Sequence, residues 1–187
     1  IYLPELVDFP HFTSSNLETE RTTNQINSSL LIKLKKEAQG RKIISFLGNI
    51  TPRKNLLLFL KSVCMLDPNR YFIIILGKLK KRDKPEVIAR LNEIERYRAK
   101  LIENSYIDID YFISNEREFS FLISLSDVIF VHYREHPHSS NILIKAMAHR
   151  KPVIVNKGYL MEKIVQQYNC RDPVESDPNQ IVKSINE

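Results

Sequence analysis

From Arg41 onward, short apolar runs alternate with stretches in which apolar residues recur every three or four positions. The runs KIISFL (42–47), YFIIIL (71–76), VIFVHY (128–133) and VIVN (153–156) are short and apolar on both sides of a strand's two-residue alternation. They read as strands buried on both faces, and Ile107–Ile113 reads as a further strand of the same set. Between them the helical spacing predicts helices over Asn55–Leu66, Pro85–Glu103, Arg117–Leu125, Asn141–His149 and Leu160–Tyr168, with another at Pro178–Asn186. In the second of these, Val87, Ile88, Leu91, Ile94 and Leu101 form the apolar stripe. Strands separated by helices predict parallel pairing through right-handed crossovers. The expected fold is α/β, a Rossmann-like doubly wound parallel sheet flanked by helices. Ahead of it, Leu30–Gln39 reads as a short amphipathic helix closed by Gly40. Residues 1–29 begin apolar (IYLPELVDF) and turn rich in Ser, Thr and Asn, as a linker or irregular arm does. The expected organisation is a linker and lead-in helix over 1–40 and a folded domain over 41–187.

Doubly wound sheets bind ligands beyond the carboxyl ends of their strands. That rule selects three loops: Gly48–Lys54, Gly77–Lys84 and His132–Ser140. In the first, GNITPRKN, Gly48 lets the chain turn sharply, and Arg53 and Lys54 stand where the next helix starts. Two cations beside a helix N-terminus suit a diphosphate. The spacing is not that of a Walker loop, and a chain with four glycines carries no G-x-G-x-x-G fingerprint. The third loop holds His132, His136 and His138 with Arg134 and Glu135. Pro137 separates two of the histidines and the helical i, i+4 pair of zinc proteases is missing, so no metal site is expected. A phosphate or sugar contact from one histidine fits better. Ser139, Ser140 and Asn141 then cap the following helix, whose free N–H groups and partial positive charge attract an anion. Lys145 lies one turn further along, within reach of such a ligand or of solvent.

Composition narrows the classes. At 187 residues, 43% hydrophobic and 27% charged, the chain suits one globular domain with a sizeable core. No apolar run approaches the roughly 20 residues of a membrane span. Neither a signal peptide nor an initiator Met is present, so Ile1 is read as a cut end, the chain as half of something larger, and the compartment as cytoplasmic. The net charge of +6 admits nucleic acid, an anionic membrane surface or small anions. Much of it sits in Lys78–Lys84, where no aromatic residue interleaves to stack bases. A solvated loop is expected there, and no nucleic-acid partner. Cys64 and Cys170 suggest neither a disulfide framework nor metal spacing, and Cys64 reads as a reduced core residue. Asp110, Asp127 and Glu162 form no acid–base pair. Without a G-x-S-x-G elbow or a Ser-His-Asp order, the sequence argues against a covalent hydrolase. A receiver-like module would need acidic strand ends, where this chain has Gly48, Gly77 and Tyr133.

The order of these motifs resembles a known family. FLGNITPRKN, FIIILG, LISLSDVIFV, the Ala-Met-Ala helix, KPVIV and LMEKIV follow one another as in the C-terminal, donor-binding domain of GT-B glycosyltransferases, particularly the retaining family 4 enzymes. The match covers about Arg41 to Glu187, and IYLPELVDF is similar to the interdomain linker. The resemblance implies a UDP- or GDP-sugar donor, no cofactor, and metal-independent transfer with retention to a saccharide or lipid-linked acceptor. It implies that the acceptor half lies outside this chain, that the fragment alone is inactive, and that the parent protein touches the inner face of a bacterial membrane. Gly48, Asn49, Lys54, Ser139, Ser140, Asn141 and Lys145 would then bind the donor, with Lys54, Arg53, Glu135 and His136 closest to the chemistry. The base would lie near Ile107–Glu116.

The chain departs from the family in four places. Asn49 replaces the Arg after the loop Gly, and Asn55 replaces a Gly. Pro137 and Lys145 stand where the family has paired glutamates, the second of which holds ribose hydroxyls. Glu135 is near enough to stand in for the first. Two readings therefore stay open: a working donor domain, or a degenerate relative serving as a binding module.

Overall fold

The computed structural model describes residues 24–79, 85–113, 115–170 and 172–187. The linker stretch ahead of residue 24 and most of the basic run, 80–84, lie outside the described residues.

Five strands form one parallel sheet: β1 (Lys42–Leu47), β2 (Tyr71–Leu76), β3 (Ser105–Asp108), β4 (Val128–Phe130) and β5 (Val153–Ile154). Their order is β3-β2-β1-β4-β5, with every pair parallel. The chain runs outward from β1 through β2 to β3, then returns to the other side of β1 for β4 and β5. The switch point therefore lies between β1 and β4, where the connecting loops part and leave a crevice.

Two-residue alternation sends each strand's side chains to both faces. Ile44, Phe46, Tyr71, Ile73, Ile75 and Phe130 join one core. Helices α2 (Leu56–Val63), α3 (Pro85–Lys100) and α7 (Pro178–Asn186) cover it with Phe59, Leu60, Ile94, Ile181 and Ile185. Ile43, Leu47, Phe72, Ile74, Ile129 and Val153 join the other core. Helices α1 (Asn24–Ala38), α4 (Glu116–Leu125), α5 (Asn141–Ala148) and α6 (Leu160–Gln167) cover that face through Leu34, Leu122, Leu143, Ala146, Met161 and Val165. Rings of Phe46, Phe59 and Phe130 lie 5.0–6.1 Å apart in the first core, within the range of favourable aromatic pairing.

The elements differ from the sequence expectation mainly at their ends. The third strand spans Ser105–Asp108, not Ile107–Ile113. The Asp108 carboxylate accepts from the Asp110 N–H at 2.9 Å, folding the chain into an Asx turn. The helix expected from Asn55 begins at Leu56, because Pro52–Lys54 makes one 3-10 turn and Asn55 adopts left-handed geometry at φ 57°. The third helix stops at Lys100, and Ile102–Asn104 forms a separate 3-10 turn. Strands β4 and β5 end before Tyr133 and Asn156, although Val131 still donates to the Ile154 carbonyl at 2.8 Å. The lead-in helix starts earlier than expected, at Asn24, and ends where Gln39 and Gly40 turn left-handed. Cys64 and Cys170 are free and partly buried.

Candidate functional site

At the switch point the loop after β1 is shaped by Gly48 and by Gly77 at the end of β2. Gly48 has φ +82°, a conformation L-residues with side chains rarely adopt. A Cβ on Gly77 would lie 2.1 Å from the Gly48 carbonyl oxygen, so the two backbones approach as only glycine allows.

Lys54 lies under this loop. Its ammonium donates to the Leu47 carbonyl at 3.0 Å and sits 3.0 Å from where a Gly48 Cβ would be. The residue is 9% exposed, and burial, helped by the neighbouring Arg53 charge, lowers its pKa to about 8. Among the described residues no carboxylate pairs with it; a largely buried, unpaired ammonium is costly, and it presents positive charge at the crevice. Thr51 Oγ in the same loop is buried and has no hydrogen-bond partner among the described residues.

Across the crevice, the loop after β4 is tied to the first by the Arg134 N–H, which donates to the Arg53 carbonyl at 2.7 Å. Arg53 reaches the other way, its guanidinium donating to His136 Nδ1 at 3.2 Å. With Nδ1 accepting, His136 carries its proton on Nε2, which donates to the Ser139 carbonyl at 3.2 Å. Burial, with the Arg53 and His138 charges, holds the His136 pKa below its usual range. The hub between the loops is Tyr133, 2% exposed. Its ring lies 5.7 Å from the Arg53 guanidinium, 5.9 Å from the Lys54 ammonium and 5.5 Å from the His136 ring. Its hydroxyl pairs with Ser140 Oγ at 3.1 Å. Ser140 also caps α5, its Oγ accepting from the Ile142 N–H at 3.2 Å. The first N–H groups of a helix have no partner within it, so α5 opens onto the cations that Arg53 and Lys54 supply.

The sequence-selected residues therefore fall into two groups. Gly48, Arg53, Lys54, His136, Ser139 and Ser140 share this constellation. Asn49 and Asn141 are exposed on its rim. Lys145 is paired outside this constellation: its ammonium forms an ion pair with Glu116 and lies 5.2 Å from the Phe119 ring centre. Phe119 and Ile142 border Gly48, so this pair stands at one end of the same crevice. Glu135, left-handed at φ 46° and exposed, lines a separate small cavity towards β5. Sequence reading missed Tyr133, Glu116 and the close approach at Gly77. Only the position of Tyr133, at the end of an apolar run whose neighbours alternate inward, carried a signal.

The segment after β3, expected near the base, carries the Asp108 turn and a 63% exposed Phe112; residue 114 lies outside the described residues. A larger cavity of about 590 Å³ lies at the opposite edge, lined by Glu37, Arg41, Arg98 and Tyr106. Its Arg41 guanidinium is already committed to the carbonyls of Glu37, Ala38 and Pro68, which makes it a structural tie. Among the described residues no cluster of three His, Cys, Asp or Glu side chains could hold a metal, and no helix is long and apolar enough to cross a membrane.

The histidines set a pH dependence. His132 is fully buried, and burial lowers its pKa, as it does for His136. Both pKa values lie below the unfolded value of about 6.5. The unfolded state therefore binds more protons, and stability falls as the pH drops from about 6.5 through the folded-state values. Thermal melts between pH 8 and pH 5 should show a decreasing midpoint below about pH 6.5. A His132→Phe variant should flatten part of that slope.

No family model matches the chain, and no curated protein matches it in sequence. Solved structures do match in fold. The C-terminal domain of a glycosyl transferase group 1 family protein from Francisella tularensis superposes with TM-score 0.65 at 18% identity, covering 82% of this chain and 79% of that one. The N-terminal domain of trehalose-6-phosphate phosphatase from Candida albicans gives TM-score 0.63 at 14% identity, covering 88% and 38%. HepE from Anabaena, in complex with UDP-glucose, gives TM-score 0.62 at 16% identity, covering 87% and 42%. The chain thus spans less than half of the last two proteins. With its parallel sheet and β1/β4 switch point, the chain has the fold of the C-terminal Rossmann-like domain of GT-B glycosyltransferases.

Proposed function

We propose that this domain binds a nucleoside-diphosphate sugar, UDP- or GDP-linked, as the donor half of a glycosyltransferase. The observation that carries the reading is the buried Lys54 ammonium beside Gly48, with no carboxylate paired to it among the described residues and with Arg53 and the α5 N-terminus facing the same crevice. A diphosphate there would satisfy the cations, the helix N-terminus and the unpartnered Thr51 hydroxyl. The UDP-glucose complex of HepE, a protein of the same fold, supports this class of ligand.

In the transfer reaction, negative charge builds on the leaving diphosphate. Preorganised donors aimed at that charge lower the barrier without a protein nucleophile. Lys54, Arg53 and α5 supply them, and neutral His136 holds Arg53 in place. The reading includes retention of configuration, no metal requirement, and Glu135 near the sugar. Asn49, Ser139 and Asn141 take the rim of the phosphate site. At the ribose end, Lys145 cannot accept from a hydroxyl, but its partner Glu116 can, so the pair returns a carboxylate to that end. The acceptor, a saccharide or a lipid-linked one in bacterial envelope synthesis at the cytoplasmic membrane face, would be held by a further domain.

Calorimetric titration with UDP, GDP and their glucose or mannose conjugates, with and without magnesium, tests the proposal. One nucleotide binding equally well without magnesium is the expected result. Binding that needs magnesium would overturn metal independence, and no binding in a folded sample would overturn the donor assignment for this chain. Lys145 and Pro137 favour a second reading, a degenerate domain kept for interaction. Failure of a Lys145→Glu variant to gain nucleotide affinity in the full-length protein would favour it.

A further inference from the structure

We propose that the small cavity at the carboxyl ends of β4 and β5 is a second binding site, for one neutral sugar ring. It encloses about 220 Å³ beside the loop after β4, below the roughly 300–1,000 Å³ of drug-sized sites. Asn156, 5% exposed, lines it. Its amide nitrogen donates to the Lys157 carbonyl at 3.3 Å, while its Oδ1 is buried and has no donor among the described residues. Two neighbouring N–H groups are spent elsewhere: that of Lys157 on the Val174 carbonyl at 3.2 Å and that of Val174 on the Val155 carbonyl at 2.9 Å. A buried acceptor left unmet is costly, so the occupant should bring an O–H or N–H.

The remaining lining narrows its chemistry. Arg134 and Lys157 are cations, and Glu135 and Glu175 are carboxylates; Lys157 and Glu175 pair at 3.3 Å. The charges balance two against two, so the cavity has no net preference for an anion. The lining supplies both donors and acceptors, and sugar hydroxyls, each able to donate and accept, can use both. The half-buried Tyr159 ring adds a flat apolar wall for the C–H face of a ring. The cavity shares Tyr133 and Glu135 with the loop after β4 that borders the nucleotide site, but its lining excludes Gly48 and Lys54, so its sugar contacts lie apart from the phosphate cradle.

The test is amide NMR of the 187-residue chain titrated with glucose, galactose, mannose and, separately, inorganic phosphate, each with and without UDP. One sugar should shift the amides of 156–159 and 174–176, with or without UDP, and phosphate should leave them still. Tyr159→Ala, at a partly exposed position, should weaken the sugar by about tenfold, and Asn156→Leu should remove it. If no sugar moves these amides, if phosphate does, or if UDP displaces the sugar, the second site is overturned. Failure of both UDP and GDP to bind anywhere would sink the nucleotide reading and leave the sugar titration to decide this one.

Discussion

A Lys54→Met variant should lose about ten- to hundredfold in nucleoside-diphosphate affinity, the range that a charge-assisted hydrogen bond to phosphate supplies, while melting no lower than the parent. The two halves of that result have one cause. Lys54 is 9% exposed, and its ammonium has a single carbonyl, Leu47, at 3.0 Å. Without a ligand it carries the cost of a desolvated charge, which a similarly shaped apolar side chain does not. A residue kept for stability would behave in the opposite way, so calorimetry and thermal melts on the one variant separate the two roles. The same burial lowers its pKa to about 8. Only the protonated form can pair with phosphate, and a bound diphosphate raises that pKa. Parent affinity should therefore fall as the pH rises above about 8, by up to about tenfold per pH unit, and Lys54→Met should show no such dependence.

Gly77→Ala should cost about 3 kcal/mol or more, above the usual range for one inserted methyl, and lower the melting midpoint by about 6–12 °C. The added Cβ would stand 2.1 Å from the Gly48 oxygen, 3.0 Å from its carbonyl carbon and 3.1 Å from Ile50 Cγ1. No rotamer relieves a clash with backbone. Both strands resist moving: the Gly77 N–H donates to Asp108 at 3.0 Å and the Gly48 N–H to Leu76 at 2.9 Å. Whatever shift occurs displaces Gly48 from above the Lys54 ammonium, so nucleotide binding should fall with stability. Gly40→Ala is the internal control. It is strained by φ +79° but meets nothing within 4 Å, so it should cost only about 1–2 kcal/mol and leave binding intact. Equilibrium denaturation of both variants checks the contrast.

The sheet was legible in the sequence because its strands are buried on both faces. In YFIIIL every position is apolar, and Tyr71, Ile73 and Ile75 enter one core while Phe72, Ile74 and Leu76 enter the other. Strand ends were less legible because side-chain turns set them: Asp108 folds back on Asp110 and stops β3 while the apolar pattern runs on to Ile113. The cap of α5 by Ser140 followed from residue type alone. The site's organisation did not. Tyr133 gathers Arg53, Lys54, His136 and Ser140 around one ring, and such a hub depends on the spatial neighbourhood of β1 and β4, which sequence order hides. The Glu116–Lys145 pair joins α4 to α5 in the same way. Gly77 looked like a strand end, whereas its role is set by a carbonyl from residue 48.

The most direct measurement is a crystal structure of the chain grown with UDP. The diphosphate should lie at the β1/β4 crevice, with an oxygen within about 3.2 Å of the Lys54 ammonium and the phosphates facing the first N–H groups of α5. A nucleotide seated at the opposite edge, among Arg41, Arg98 and Tyr106, would contradict that placement.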